Sequence, residues 1–305
     1  MRQLLTTLCI GLVSGVLSGA FGIGGGIITT PGIRLLLGAP ALVAVGTPLP
    51  VIIPSAITGS LNYLRRGSLS VRVGVWCGIF GSAFAVLGAL STQYVGALFH
   101  ADSGTIVLLA TAALILYTAA DMILQVIRPP RLGLEAAEER DAFAPSEPPA
   151  ADHTAAAHAR AASYGMARLT APLPSAPASQ PAPLWKLAII GGLTGFYSGF
   201  LGLGGGFVLV PMLTRWLHFD IKKAIGTSLM AIAILAVPGT ITHALLGHID
   251  WWLAAALAVG VIPGAWLGSR FTLGSSDRAT RIAFAVMLVV VGGWLAGAEM
   301  GWLPR

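Results

Sequence analysis

From Leu4 to Thr29 the chain contains no Lys, Arg, Asp or Glu, and the same holds for Val43–Leu64, Val73–Phe99, Ser103–Ala120, Leu187–Leu213, Ala224–Gly247, Trp251–Leu267 and Ile282–Ala298. Each run approaches the roughly 20 residues that a helix needs to cross about 30 Å of hydrocarbon. Lipid offers no hydrogen bonds, so only helices and closed barrels satisfy their own backbone there, and a barrel would show alternating strands of about ten residues instead. The runs therefore predict an all-α integral membrane protein with about eight membrane segments. A mean hydropathy of +0.82, with 10% charged residues, agrees.

Residues 1–20 have the outline of a secretory signal, with Arg2 followed by an apolar stretch and small residues. However, Gly11, Gly15, Ser18 and Gly19 recur inside the chain as Gly191, Gly195, Ser198 and Gly199, which favours a retained first segment. The recurrence is general. The same constant interval relates the "FGIGGG" of Phe21–Gly26 to the "LGLGGG" of Leu201–Gly206, Pro31 to Pro211, Gly46-Thr47 to Gly226-Thr227, Gly59 to Gly239 and Gly67 to Gly247. A gapless register of this length predicts two homologous repeats of about four transmembrane helices, each with a Gly-broken first helix. The repeats are placed at 1–127 and 184–305.

Residues 128–183 join them with an Ala-, Pro- and Ser-rich sequence that buries too little apolar surface to offset its ordering entropy. A largely disordered polar linker is expected, with one short helix near Leu134–Arg140. His153 and His158 within it are read as solvated side chains, because no cysteine or third ligand accompanies them. Cys9 and Cys77 lie in apolar runs and are read as small buried hydrophobes. The net charge of +6 comes mainly from loops, where basic residues set topology and meet headgroups rather than nucleic acid. Arg65, Arg66 and Arg72 follow the second run, whereas Arg215, Lys222 and Lys223 follow the fifth. Placing both groups in the cytoplasm favours inverted repeats with one re-entrant segment each over parallel ones, and both arrangements stay open.

Gly11, Gly15 and Gly19, like Gly191, Gly195 and Gly199, fall four residues apart on one helix face and read as a helix-crossing surface. The triplets Gly24, Gly25, Gly26 and Gly204, Gly205, Gly206 differ. Each glycine costs a helix about 1 kcal/mol relative to alanine, so the helix is expected to break there. Unwound backbone at bilayer depth is tolerated only where protein buries it or a polar cavity receives it. The half-helix after each break would turn its free N–H groups and positive dipole end inward, a site for anions. Thr47, Thr227, Ser228, Asn62 and His243 are added as hydrogen-bonding candidates at matching positions, opposite Pro48, Thr242 and Tyr63. Arg34, Arg65 and Arg66 could draw anions toward a cavity mouth, and Asp121 is a weaker candidate for proton coupling. Trp185, Trp216, Trp251 and Trp252 sit where interfacial aromatic rings belong.

The segments "SGAFGIGGGIITTP" and "AVGTPLP", then "SGFLGLGGGFVLVP" and "AIGTSLM" followed by "THALLGHIDWWLAAALAVGVIPGAWLGSRF", resemble the two repeats of the sulfite exporter TauE/SafE family. The resemblance covers both halves and leaves out the linker. It implies an α-helical, multi-pass permease of the bacterial plasma membrane that moves sulfite or small organosulfonates, often outward. Mapped by position, its motifs are Gly22, Gly24–Gly26 and Pro31 with Gly202, Gly204–Gly206 and Pro211, and the Gly-Thr pairs at Gly46 and Gly226. Pro48, Pro50 and Pro54 stand where the second half has Ser228, Met230 and Ile234, so an asymmetric site is expected.

The function expected, with the substrate class taken from the resemblance, is secondary transport of a small organosulfur or sulfur oxyanion such as sulfite or a sulfonate, without cofactor, metal or catalytic residue; the alternative is an anion channel or a transporter of another small anion. No nucleophile with its base is grouped within the runs, and no phosphate-binding loop suggests ATP-driven pumping. The expected partners are the anionic substrate and the lipid bilayer, with homo-oligomerisation left open.

Overall fold

The computed structural model describes residues 2–98, 103–127 and 183–299. The short helix expected near Leu134, together with His153 and His158, lies outside the described residues. Among these residues all the regular secondary structure is helical, with no strand. In chain order the helices are α1 (Arg2–Phe21), α2 (Gly26–Leu36), α3 (Ala41–Gly46), α4 (Pro48–Arg65), α5 (Val71–Leu98), α6 (Ser103–Ile127), α7 (Leu184–Leu201), α8 (Gly206–Trp216), α9 (Ile221–Leu245), α10 (Trp251–Gly274) and α11 (Asp277–Glu299). Seven stretches are long and apolar enough to cross a membrane, and α6 adds the shorter apolar stretch Ala112–Leu124. Met1–Ile127 and Pro183–Arg305 form one compact unit.

Helix limits recur at the interval seen in the sequence. Phe21 and Leu201 end helices, Gly26 and Gly206 begin them, and α3–α4 covers the positions in the first half that α9 covers in the second. The one interruption has a local cause. Pro48 has no N–H to give Ala44, so the helix is divided at Thr47, whereas Ser228 at the matching place lets α9 run unbroken.

The glycine faces bring backbones together. Gly11, Gly15 and Gly19 lie against the carbonyls of Leu257, Val261 and Ala265, so α1 and α10 run parallel in close contact. Gly191, Gly195 and Gly199 meet the carbonyls of Cys77, Gly81 and Ala85 in the same way, making α7 parallel to α5. Lipid tails are as apolar as leucine and supply no hydrophobic drive between helices, so close van der Waals approach of this kind is what associates them.

Further pairs fix the remaining directions. Gly74 meets Met230 and Gly78 meets Ile234, so α5 is parallel to α9; Gly59 meets Leu229 and Gly239 meets Leu49, so α4 is antiparallel to α9. Thr47 joins Asp250, and Asn62 joins Ser269, so α4 is parallel to α10. Helices α1, α4 and α10 therefore point one way, and α5, α7 and α9 the other. Within the first half, Gly25 lies at Ser14 and Gly32 at Ile10, so α2 doubles back along α1.

Large apolar side chains such as Val259, Ile241 and Phe271 cover the outer surface, as a lipid-facing protein requires. Cys77 is buried, but Cys9 lies on this outer face, which corrects the expectation that both would be enclosed. Trp185, Trp251 and Trp252 are exposed at helix starts. Asp121 is ion-paired with Arg215 and so occupied structurally.

A Cβ at Gly195 would collide with the Gly81 carbonyl, whereas one at Gly293 meets nothing within 4 Å. Gly195→Ala is expected to destabilise the purified protein by about 1–3 kcal/mol or more through overpacking. Gly293→Ala should leave the thermal midpoint in detergent unchanged or slightly raised. Equal midpoints for the two variants would refute the close-crossing account.

Candidate functional site

The two helix breaks meet. After Phe21, Gly22, Gly24 and Gly25 adopt φ of 70°, 81° and 79°; after Leu201, Gly202, Gly204 and Gly205 adopt 66°, 84° and 71°. These are left-handed conformations in which a Cβ is strained, which explains glycine at each place. Gly24 and Gly204 cross so closely that a Cβ on Gly204 would sit 3.3 Å from the Cα of Gly24. Gly26 lies against the Gly202 carbonyl and Leu203, and Gly206 against the Gly22 carbonyl and Ile23. Ile52 and Ile232, near mid-length of the α3–α4 stretch and of α9, flank the crossing. All of this backbone is buried.

The half-helices α2 and α8 start here, each with a left-handed glycine N-cap and no side-chain cap. Their first amides have no intrahelical acceptor and point out of the helix start, where the dipole is positive. In chemical terms the arrangement offers neutral N–H donors to an anion.

The side chains named from the sequence divide into two groups. The Gly-Thr motifs are at the breaks: Gly202 lies against the Val45 carbonyl, and Gly22 against the Ile225 carbonyl. Ser228 belongs with them, its Oγ being 2.9 Å from Gly22 O and 2.8 Å from Ile225 O. Thr47 and Thr227 are fully buried and act on helix starts, accepting the backbone N–H of Asp250 at 3.1 Å and of Ser70 at 3.0 Å. Asn62 is elsewhere, on the α4–α10 interface, donating to Ser269 Oγ at 2.7 Å.

His243 is fully buried in the last turns of α9, its Nε2 being 3.1 Å from Gly199 O. Tyr63, at the matching position, donates from its hydroxyl to Gly19 O at 3.2 Å, so both rings fasten the end of a glycine-faced helix. A carbonyl at Nε2 requires the proton there, which leaves Nδ1 of His243 as an acceptor; His248 Nδ1, 3.2 Å away, is then the donor.

Sequence reasoning missed His248, which lies beyond the end of α9 and becomes a partner only because the chain turns there. It also passed over a set of buried hydroxyls beside the breaks. Ser14 Oγ is 2.7 Å from Gly25 O and 3.0 Å from Thr29 Oγ1, and Ser18 Oγ is 3.2 Å from Ser55 Oγ. Thr194 and Ser198 take the same positions on α7. The signal was present in their spacing, one helical turn apart and repeated in the second half, but it lay beside a glycine pattern that already had an explanation.

The model of the sulfite exporter TauE/SafE family matches residues 7–295. The chain belongs to the sulfite exporter TauE/SafE family. Among curated relatives, the "Probable membrane transporter protein YunE" of Bacillus subtilis is 26% identical over 304 residues, covering 95% of this chain and 94% of its own. "Probable membrane transporter protein YdhB" of the same organism is 25% identical, with 85% and 86% covered. The "Probable membrane transporter protein MJ0441" of Methanocaldococcus jannaschii is 22% identical, with 93% and 91% covered. No solved structure matches. The TauE/SafE protein is thus a membrane transporter rather than an enzyme, and its partners include the lipid bilayer and a small substrate.

His248 lies outside the spanning helices, and burial lowers its pKa below the ordinary 6.5. The native state therefore favours the neutral ring. Its contribution to stability is complete above about pH 6.5 and is lost as pH falls from there toward the lowered native value. The thermal midpoint should drop on acidification from about pH 7 to 5, and His248→Gln should flatten that drop. A variant that loses stability as steeply as wild type would show that His248 does not contribute to it.

Proposed function

We propose that this TauE/SafE protein is a secondary carrier of small sulfur oxyanions, sulfite or a sulfonate, in the plasma membrane of a bacterium. The observation that carries the reading is the pair of uncapped half-helix starts meeting at the centre of the bundle. Neutral amides and helix dipoles replace part of an anion's hydration shell there, and discontinuous helices at matching positions are the usual mark of a transport site. Gly24, Gly25 and Gly26, Gly204, Gly205 and Gly206, and Ser228 form this site; Thr47 and Thr227 hold the helices beside it. Asn62 and His243 support the surrounding packing. The family's sulfite exporters supply the substrate class.

The helix directions support two inverted repeats. α1, α4 and α10 oppose α7, α9 and α5, their counterparts in the other half, as a two-fold axis in the membrane plane requires. In each repeat the first helix and its half-helix form a re-entrant pair, and the following helices cross. Arg65, Arg66, Arg72, Lys186, Arg215, Lys222, Lys223, Arg270, Arg278 and Arg281 then share one face, where Lys222 meets Asp277 at 3.4 Å. That face is assigned to the cytoplasm by the excess of Lys and Arg.

Glycine-to-glycine contact at the crossing favours a carrier over a channel, since a pore could not run through it. Movement of one repeat against the other would open the site to each side in turn. In liposomes containing the purified protein, labelled sulfite should enter saturably and show counterflow. Gly205→Ala, which forces a Cβ onto Thr194 at a φ of 71°, should abolish that uptake, while Gly293→Ala preserves it. Flux that does not saturate would indicate a channel, and no flux of sulfite, taurine or sulfoacetate from folded protein would reject the substrate class.

A further inference from the structure

The two breaks are alike in backbone and unlike in the hydroxyls beside them. At the first, Thr29 Oγ1 donates to Gly25 O at 2.7 Å, Ser14 Oγ lies within donating distance of both Gly25 O (2.7 Å) and Thr29 Oγ1 (3.0 Å), and Ser18 is paired with Ser55. The polar groups there are consumed internally. At the second, the positions of Thr29 and Ser55 are occupied by Leu209 and Leu235, both fully buried. Thr194 and Ser198 keep their hydroxyls, each at 0% exposure, and neither oxygen has a hydrogen-bond partner among the described residues.

A buried hydroxyl without a partner leaves its desolvation uncompensated. Helical Ser and Thr commonly avoid this by bonding a carbonyl of the preceding turn, as Ser82 does with Gly78 O and Thr240 with Ala236 O. Thr194 and Ser198 do not. They lie one turn apart on α7, and Thr194 rests against the start of α8, where a Cβ on Gly205 would be 2.6 Å from Thr194 Cγ2. That start has no side-chain cap, and α8 is 11 residues long. The second break therefore has two unpartnered buried hydroxyls on α7 and, at the start of α8 that the Thr194 methyl touches, the Gly206 and Phe207 amides ahead of Val208, whose N–H is already given to Gly205 O at 3.1 Å.

We infer that Thr194 and Ser198, with the first amides of α8, bind the oxyanion, and that the first break is a structural counterpart without this role. The inference rests on the carrier reading above and selects within it one of the two half-sites. All of these groups can donate to an anion's oxygens. Ser, Thr and backbone amides bring no cation, so the site suits a singly charged group, hydrogensulfite or a sulfonate, better than sulfate, whose second charge they leave uncompensated. The hydroxyls can also accept, which accommodates the proton of hydrogensulfite.

The test is titration calorimetry of the full-length protein in detergent with sulfite, methanesulfonate and sulfate, alongside the thermal midpoint of each ligand-free variant. Thr194→Val and Ser198→Ala should each weaken sulfite and methanesulfonate binding about tenfold or more, without lowering the ligand-free midpoint. Ser18→Ala, the counterpart of Ser198 at the first break, should leave affinity unchanged, and sulfate should bind wild type more weakly than methanesulfonate. Unchanged affinity in Thr194→Val and Ser198→Ala, with or without a lowered midpoint, would assign the hydroxyls to packing or a buried water and overturn the inference while leaving the carrier reading standing. Wild type that binds none of the three anions would overturn both.

Discussion

The close approach of backbone to backbone along the glycine faces is the constraint on which the rest of this protein depends. In water, α1 and α10 could be held together by burying leucine; in a bilayer that drive is absent, and contact must come from shape. Gly11, Gly15 and Gly19 let the carbonyls of Leu257, Val261 and Ala265 come within van der Waals reach, and Gly191, Gly195 and Gly199 do the same for α5. Each of these crossings joins a helix of one half to a helix of the other. The two halves consequently interlock in a single unit, and it is this interlocking that presses the broken ends of α1 and α7 against each other at Gly24 and Gly204.

Most of the helical framework was legible in the sequence because its causes are local. Charge-free runs of membrane length, glycine triplets that no helix tolerates well and a constant interval between matched motifs are all one-dimensional signals, and the helices and breaks fall where these signals place them. Helix direction was only half legible. The basic residues after α4 and α8 hinted at opposed halves, but the parallel pairing of α1 with α10 depends on which glycine meets which carbonyl, a property of two distant segments together.

The side chains of the site were less legible, for a related reason. Thr47, Asn62 and His243 were attractive as polar groups in apolar runs, yet a polar group in a membrane helix has two possible uses, and sequence does not distinguish them. Thr47 receives the amide of Asp250, Asn62 reaches Ser269 and His243 is engaged by Gly199, all through contacts across the chain, and His243 is also engaged by His248 just past the end of its own helix. Ser228 alone among the proposed side chains proved to touch a break directly. What decides between structural and ligand-binding roles is whether a hydroxyl is already satisfied, and that depends on neighbours such as Ser55 or Leu235 that are remote in sequence.

Symmetry and its loss then have separate consequences. Matching backbones at the two breaks suit a mechanism in which one repeat rocks against the other, because inward-open and outward-open states of inverted repeats can have similar energies. Binding makes a different demand. A substrate centred on the axis would have to enter a crossing where even a Cβ has no room, whereas a substrate beside the second break needs only that half to present unengaged donors. Replacing Thr29 and Ser55 with leucines, while keeping hydroxyls at Thr194 and Ser198, yields such a half without disturbing the crossing. The glycines are nearly identical in both halves because both breaks need left-handed backbone and close approach, while the hydroxyl neighbours differ, as the proposed one-sided binding of an anion requires.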